Sequence, residues 1–208
     1  MPGQESLNSE VYADLVEQGT MQNFSLLLSK FSKANTDLIK ALLNILLNFS
    51  AFIDPLATEN PAKPDNIIAI EAFVQGNIIG RILKVVITIS EEFEGVVEVK
   101  DKSMFQSVYA DFRNIIYTCL SILGNLCASP GRDEASTMPR FEIFKTEVFD
   151  ISSHLIRSVF AVHDLYSETE DCIDLELVDS ITYFLANVLQ HLQIDPDRIQ
   201  AIKFSAAS

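Results

Sequence analysis

Three phrases of one kind punctuate the chain: Leu46-Leu47-Asn48-Phe49, Leu123-Gly124-Asn125-Leu126 and Leu185-Ala186-Asn187-Val188. Each closes a long apolar stretch with one asparagine set among aliphatic residues. Recurrence of that sort points to a repeated supersecondary unit, because a unit that cannot bury its apolar face alone must stack on a copy of itself.

The stretches before these phrases carry helical spacing. Leu38, Leu42, Ile45, Leu46 and Phe49 are expected to face inward from a helix that starts after the break at Asn35-Thr36-Asp37. Met21, Phe24, Leu27, Leu28 and Phe31 give a stripe to the helix before it, and Val11, Leu15 and Val16 to one from about Ser9, with Gly19 as the stop between them. Pro55, Pro61 and Pro64 make 54–65 a loop. The order then restarts: helices are expected over 67–75, ending at Gly76, over 77–90 and over 103–128. After a loop over 129–139 containing Pro130-Gly131, they are expected over 141–149, 150–162 and 171–192. Pro196 suits the first turn of a short closing helix, 195–204. Between 91 and 102 an acidic loop is the favoured reading. A hairpin competes with it, since Val85-Val86-Ile87-Thr88-Ile89 and Val96-Val97-Glu98-Val99 flank Glu94-Gly95.

Charge narrows the function classes. The chain has 29 Asp plus Glu against 15 Lys plus Arg, a net −14 that repels a polyphosphate backbone and an anionic lipid surface alike. No direct nucleic-acid binding is expected, and a basic protein or peptide is the fitting partner. No apolar run reaches membrane-spanning length, so no membrane insertion is expected. Glu5, Glu10, Asp14 and Glu17 stand where a secretory leader would be apolar, so a cytoplasmic location is expected, with the nucleus as the alternative. Cys119, Cys127 and Cys172 form no CxxC pair and read as buried thiols.

Val16-Glu17-Gln18-Gly19-Thr20-Met21, Leu26-Leu27-Leu28 and the run from Asp37-Leu38 to Leu46-Leu47-Asn48 together resemble one armadillo repeat. In that family a glycine separates a short first helix from the second, and the third ends in an aliphatic-Asn-aliphatic phrase. A second unit is similar through Val74-Gln75-Gly76-Asn77-Ile78 and Asn125, but is longer by an insertion that coincides with the acidic segment. A third ends at Asn187 and has Thr146-Glu147-Val148-Phe149 where the glycine would fall. The resemblance implies an all-α fold, a right-handed α-solenoid of about three three-helix units over 9–53, 66–128 and 140–192. A long loop is inserted in the second unit, and the whole 1–208 forms a single armadillo-like domain.

The same resemblance places binding residues on the third helices, which line a concave groove in that family. Counting back one and two turns from each asparagine puts Asn48, Asn44 and Lys40, then Asn125, Ser121 and Tyr117, then Asn187, Tyr183 and Asp179 on successive helical faces. The import-adaptor branch carries tryptophan one turn before the asparagine. This chain has no tryptophan, and Asn44, Ser121 and Tyr183 stand there instead. A recurrent amide can pair neighbouring helices or hold a peptide backbone, and the internal role is favoured because buried amides must be satisfied anyway.

Chemical motifs are sparse. Gly-x-Ser-x-Gly, Walker and GxGxxG patterns are missing from the sequence, and His154, His163 and His191 have no His-x-x-x-His partner, so no catalytic, metal or cofactor site is assigned. The expected function is a non-enzymatic scaffold or adaptor that binds a peptide or partner protein in its groove. The alternative carried by fold analogy is an armadillo-like regulator of a small GTPase or chaperone, and an all-helical enzyme comes last. Units without a polar cap imply self-association or membership of a longer solenoid.

Overall fold

The computed structural model describes residues 14, 19–30, 35–51, 64–99, 102–128, 139–140, 142–143, 155 and 175–189. Every regular element among them is helical. The elements are α1 (Thr20–Leu28), α2 (Thr36–Ser50), α3 (Pro64–Gln75), α4 (Ile78–Val99), α5 (Lys102–Cys127) and α6 (Leu175–Leu189). Pro139, Arg140, Glu142, Ile143 and Leu155 are helical as well, so helix is already present at 139, within the expected loop. Apart from Asp14, the expected helix over 9–18 lies outside the described residues, as do the closing helix over 195–204, Phe31, Cys172 and the three histidines.

Local chemistry explains the boundaries. Gly19 precedes α1 with φ 66°, a left-handed conformation that costs glycine little. At the next junction the left-handed residue is Asn77, φ 54°, and not Gly76. Asparagine tolerates that region. Gly76 serves closeness instead, for a Cβ there would stand 2.9 Å from the Cβ of Met21 on α1. Proline takes the first position of α3, where a missing N–H breaks no helical bond, and this start shortens the expected loop over 54–65.

The expected loop over 91–102 is replaced by helix, and so is the competing hairpin. α4 runs unbroken to Val99 and α5 begins at Lys102. Phe93 is the reason. It is fully buried and stacks on Phe112 of α5, ring centroids 4.2 Å apart at 15°, with Tyr109 at 5.8 Å. Seating an aromatic ring in the core stabilises by about 1.5–3 kcal/mol, beyond what β-branched propensity offers a lone ribbon. Most residues between Gly76 and Asn125 therefore lie in two long helices.

Burial bears out Met21, Phe24 and Leu28 on α1 and Leu42, Leu46 and Phe49 on α2, and corrects the rest of the expected inward faces. Leu38 and Ile45 are 53% and 45% exposed, whereas Ile39, Leu42, Leu43, Leu46 and Ser50 are buried. Both sets satisfy helical spacing, and contact with α5 selects the second. On α1 Leu27 faces outward and Ser25 is buried.

α5 is the hub, packing against α2, α4 and α6, while α1 and α3 pack on α4. Lys40 pairs with Asp111 and Ser50 with Asn125, so early residues of α2 meet early residues of α5 and late ones meet late ones. Arg113 pairs with Glu176, and Gly124 lies under Tyr183. α2, α5 and α6 thus run parallel in one row.

Candidate functional site

Between Ile115 and Cys127 every residue of α5 is buried except Tyr117, Ser121 and Asn125. These three recur at i, i+4 and i+8, so they form one open stripe on a helix otherwise enclosed by its neighbours. Beside that stripe lies α6, and the two helices bound a trough of about 480 Å³ lined by Tyr117, Ser121, Asn125, Glu176, Asp179, Ser180 and Tyr183. Four of the eight groove candidates meet here, together with Asp179. Glu176 and Ser180 were not singled out from the sequence, yet they follow from the i−3 and i+1 neighbours of Asp179 on the same helix.

Tyr183 reaches the trough because Gly124 makes room. A Cβ on Gly124 would stand 2.6 Å from Cε1 and 2.8 Å from Cδ1 of that ring, so the tyrosine lies directly on the α5 backbone. Both trough tyrosines are about half exposed, Tyr117 at 46% and Tyr183 at 45%. Arg113 of α5 pairs with Glu176 across the upper end. Ser180 donates its hydroxyl to the Glu176 carbonyl at 2.9 Å, and Thr182 donates likewise to Val178 at 2.9 Å, so these hydroxyls serve their own helix.

The three recurrent asparagines sit in unlike surroundings. Asn125 donates its amide to Ser50 Oγ at 3.1 Å, and that buried hydroxyl donates in turn to the Leu47 carbonyl at 2.9 Å, tying α5 to α2. Asn48 is exposed on α2 with Asn44 one turn before it. Lys40, half-buried, pairs with Asp111 and lies 3.7 Å from Asp37. Asn187 is half-buried, and its amide nitrogen is enclosed with no hydrogen-bond partner among the described residues. Asn48, Asn44, Lys40 and Asn187 do not line the trough.

Beneath the far end of the site, the buried Arg140 donates Nη2 to the Cys127 carbonyl and Nε to the Asn187 carbonyl at 3.2 Å. These carbonyls belong to the last turns of α5 and α6, where helical partners run out and the dipole is negative. One guanidinium therefore holds both helix ends together, a role no sequence motif announces. It also sits near Cys127, but burial outweighs its pull and pushes that thiol up to about 12 from 9.0. Cys119, wholly buried with no such neighbour, is raised further. Both thiols are neutral at physiological pH and poor nucleophiles.

Among the described residues no group of three His, Cys, Asp or Glu side chains is arranged to hold a metal ion. No helix among them is long and apolar enough to cross a membrane. The trough is lined by two tyrosines, two serines, one amide and two carboxylates. In comparisons with known proteins, no family model matches the chain, and no curated protein or solved structure matches it.

Proposed function

We propose that this chain is a non-enzymatic protein–protein interaction domain, a stack of armadillo-like three-helix repeats that holds a peptide or partner protein along the face formed by α2, α5 and α6. The observation that carries the reading is the trough of about 480 Å³ between α5 and α6, in which Tyr117, Ser121, Asn125 and Tyr183 stand together. The parallel row of long helices supports the repeat architecture, since neighbouring units of one handed stack repeat their direction. Its aromatic and amide lining suits an extended polypeptide, which needs both apolar faces and backbone hydrogen bonds. A cytoplasmic setting accords with two neutral, unpaired buried cysteines.

The test is quantitative capture from a lysate of the source cells by wild-type protein and by Tyr117→Ala/Asn125→Ala. Asn125 also bonds Ser50, so a thermal melt must accompany the double variant, and Tyr117→Ala alone serves as the version without a structural bond. The proteins retained by wild type are expected to fall at least about tenfold on the variants, a loss of roughly 1.4 kcal/mol. An unchanged profile from folded variants would remove the trough from the reading.

A further inference from the structure

The margin of the trough is not electrically balanced. Glu176 is met by Arg113, whereas Asp179, one turn along α6 and exposed, has no ion-pair partner among the described residues. Tyr117 and Tyr183 line the trough with it, each about half exposed and neither in ring contact with the other. Two aromatic faces beside one unmatched carboxylate make a place for a cation, because the ring quadrupoles and the carboxylate attract it together. At about 480 Å³ the space has room for one long side chain entering from a polypeptide laid over the trough.

We propose that the trough binds an arginine side chain presented by an extended peptide, with the guanidinium against the Asp179 carboxylate and the Tyr117 and Tyr183 rings. The inference rests on the interaction-domain reading above and names its ligand chemistry. Arginine fits better than lysine on three counts: its plane stacks on a tyrosine face, its fork matches a carboxylate, and it sheds water more readily than an ammonium. Ser121 and the amide oxygen of Asn125, whose nitrogen is committed to Ser50, are placed to accept N–H bonds from the peptide. The chain's net −14 draws such a peptide in and turns phosphorylated or acidic peptides away.

The probes are fluorescein-labelled Ser-Gly-Arg-Gly-Ser and the same peptide with citrulline or lysine in place of arginine. Binding is read by anisotropy, and the site by amide and tyrosine-ring shifts in NMR spectra of the full chain. The arginine peptide is expected to saturate and to move the signals of Tyr117, Asp179 and Tyr183. Citrulline, which keeps the shape and loses the charge, should bind at least about tenfold more weakly, and lysine several-fold more weakly. Asp179→Asn, an exposed change that leaves the helix intact, should cost the arginine peptide about tenfold and the citrulline peptide nothing. Equal binding of arginine and citrulline, indifference to Asp179→Asn, or shifts elsewhere on the surface would each overturn the assignment. If the arginine peptide fails while Tyr117→Ala still loses captured proteins, the trough binds a different chemistry; if both experiments are flat, the trough is not a binding site.

Discussion

Gly124 illustrates how one missing methyl group can position a side chain on another helix. A Cβ at this position would overlap the Tyr183 ring, with 2.6 Å to its nearest carbon, yet the ring is half exposed and free to swing outward. Alanine is the better helix former by about 1 kcal/mol, so the two effects oppose each other. Gly124→Ala is therefore expected to leave stability within about 1 kcal/mol of wild type while displacing Tyr183 from the trough. Urea denaturation should show the first, and a several-fold loss of the arginine peptide the second. Wild-type binding by this variant would mean that the Tyr183 ring takes no part. The phrase Leu-Gly-Asn-Leu marked the position in the sequence, but nothing local to it reveals a tyrosine arriving from a distant helix. By contrast Tyr117, Ser121 and Asn125 could be grouped from spacing alone, since i, i+4 and i+8 share a face in any helix.

For whole elements, the reliable signals were those that do not depend on neighbours. The glycine at the head of α1 acts through its own backbone and stands where it was expected, whereas Pro64, which read as loop, opens α3 because its fixed φ suits a first helical turn. The extent of α4 depends instead on Phe93 finding Phe112 and Tyr109, contacts that propensity cannot see, so the segment after Glu91 read as a loop. The inward face of α2 was legible only in part for a related reason: Leu42, Leu46 and Phe49 pack inward as expected, but apolar residues surround much of that helix, and contact with α5 covers Ile39 and Leu43 in place of Leu38 and Ile45. Arg140 belongs to the same class. Its two bonds to the ends of α5 and α6 join segments far apart in sequence, and charged hydrogen bonds of this kind are worth about 1.5–3 kcal/mol each. Arg140→Ala should destabilise by about 3 kcal/mol, with hydrogen exchange accelerating first in the last turns of both helices. Uniform acceleration throughout the chain would argue against a clasp local to those ends.

Across the whole molecule, one electrostatic question separates two effects of opposite sign. Along the exposed face of the parallel row, Lys40–Asp111 joins α2 to α5 and Arg113–Glu176 joins α5 to α6, so charges alternate across the helices. Such pairs are partly open to water, and each contributes about 0–1 kcal/mol, a contribution that salt weakens. The net charge of −14 acts the other way, since like charges repel in the compact state and salt relieves that repulsion. The modest local pairs among the described residues stand against an excess of fourteen negative charges in the chain, so relief should prevail. The melting temperature is therefore expected to rise, by a few degrees, between about 0.05 and about 0.5 M NaCl, where the screening length shrinks from above 10 Å to under 5 Å. Binding of the arginine peptide must move oppositely over the same range, because attraction between its cation and the acidic margin is screened along with the repulsion. A protein that loses stability with salt would show that the ties across the row, not the buried core of α5, hold the helices in place; one whose peptide affinity ignores salt would show that the acidic margin plays no part in recognition.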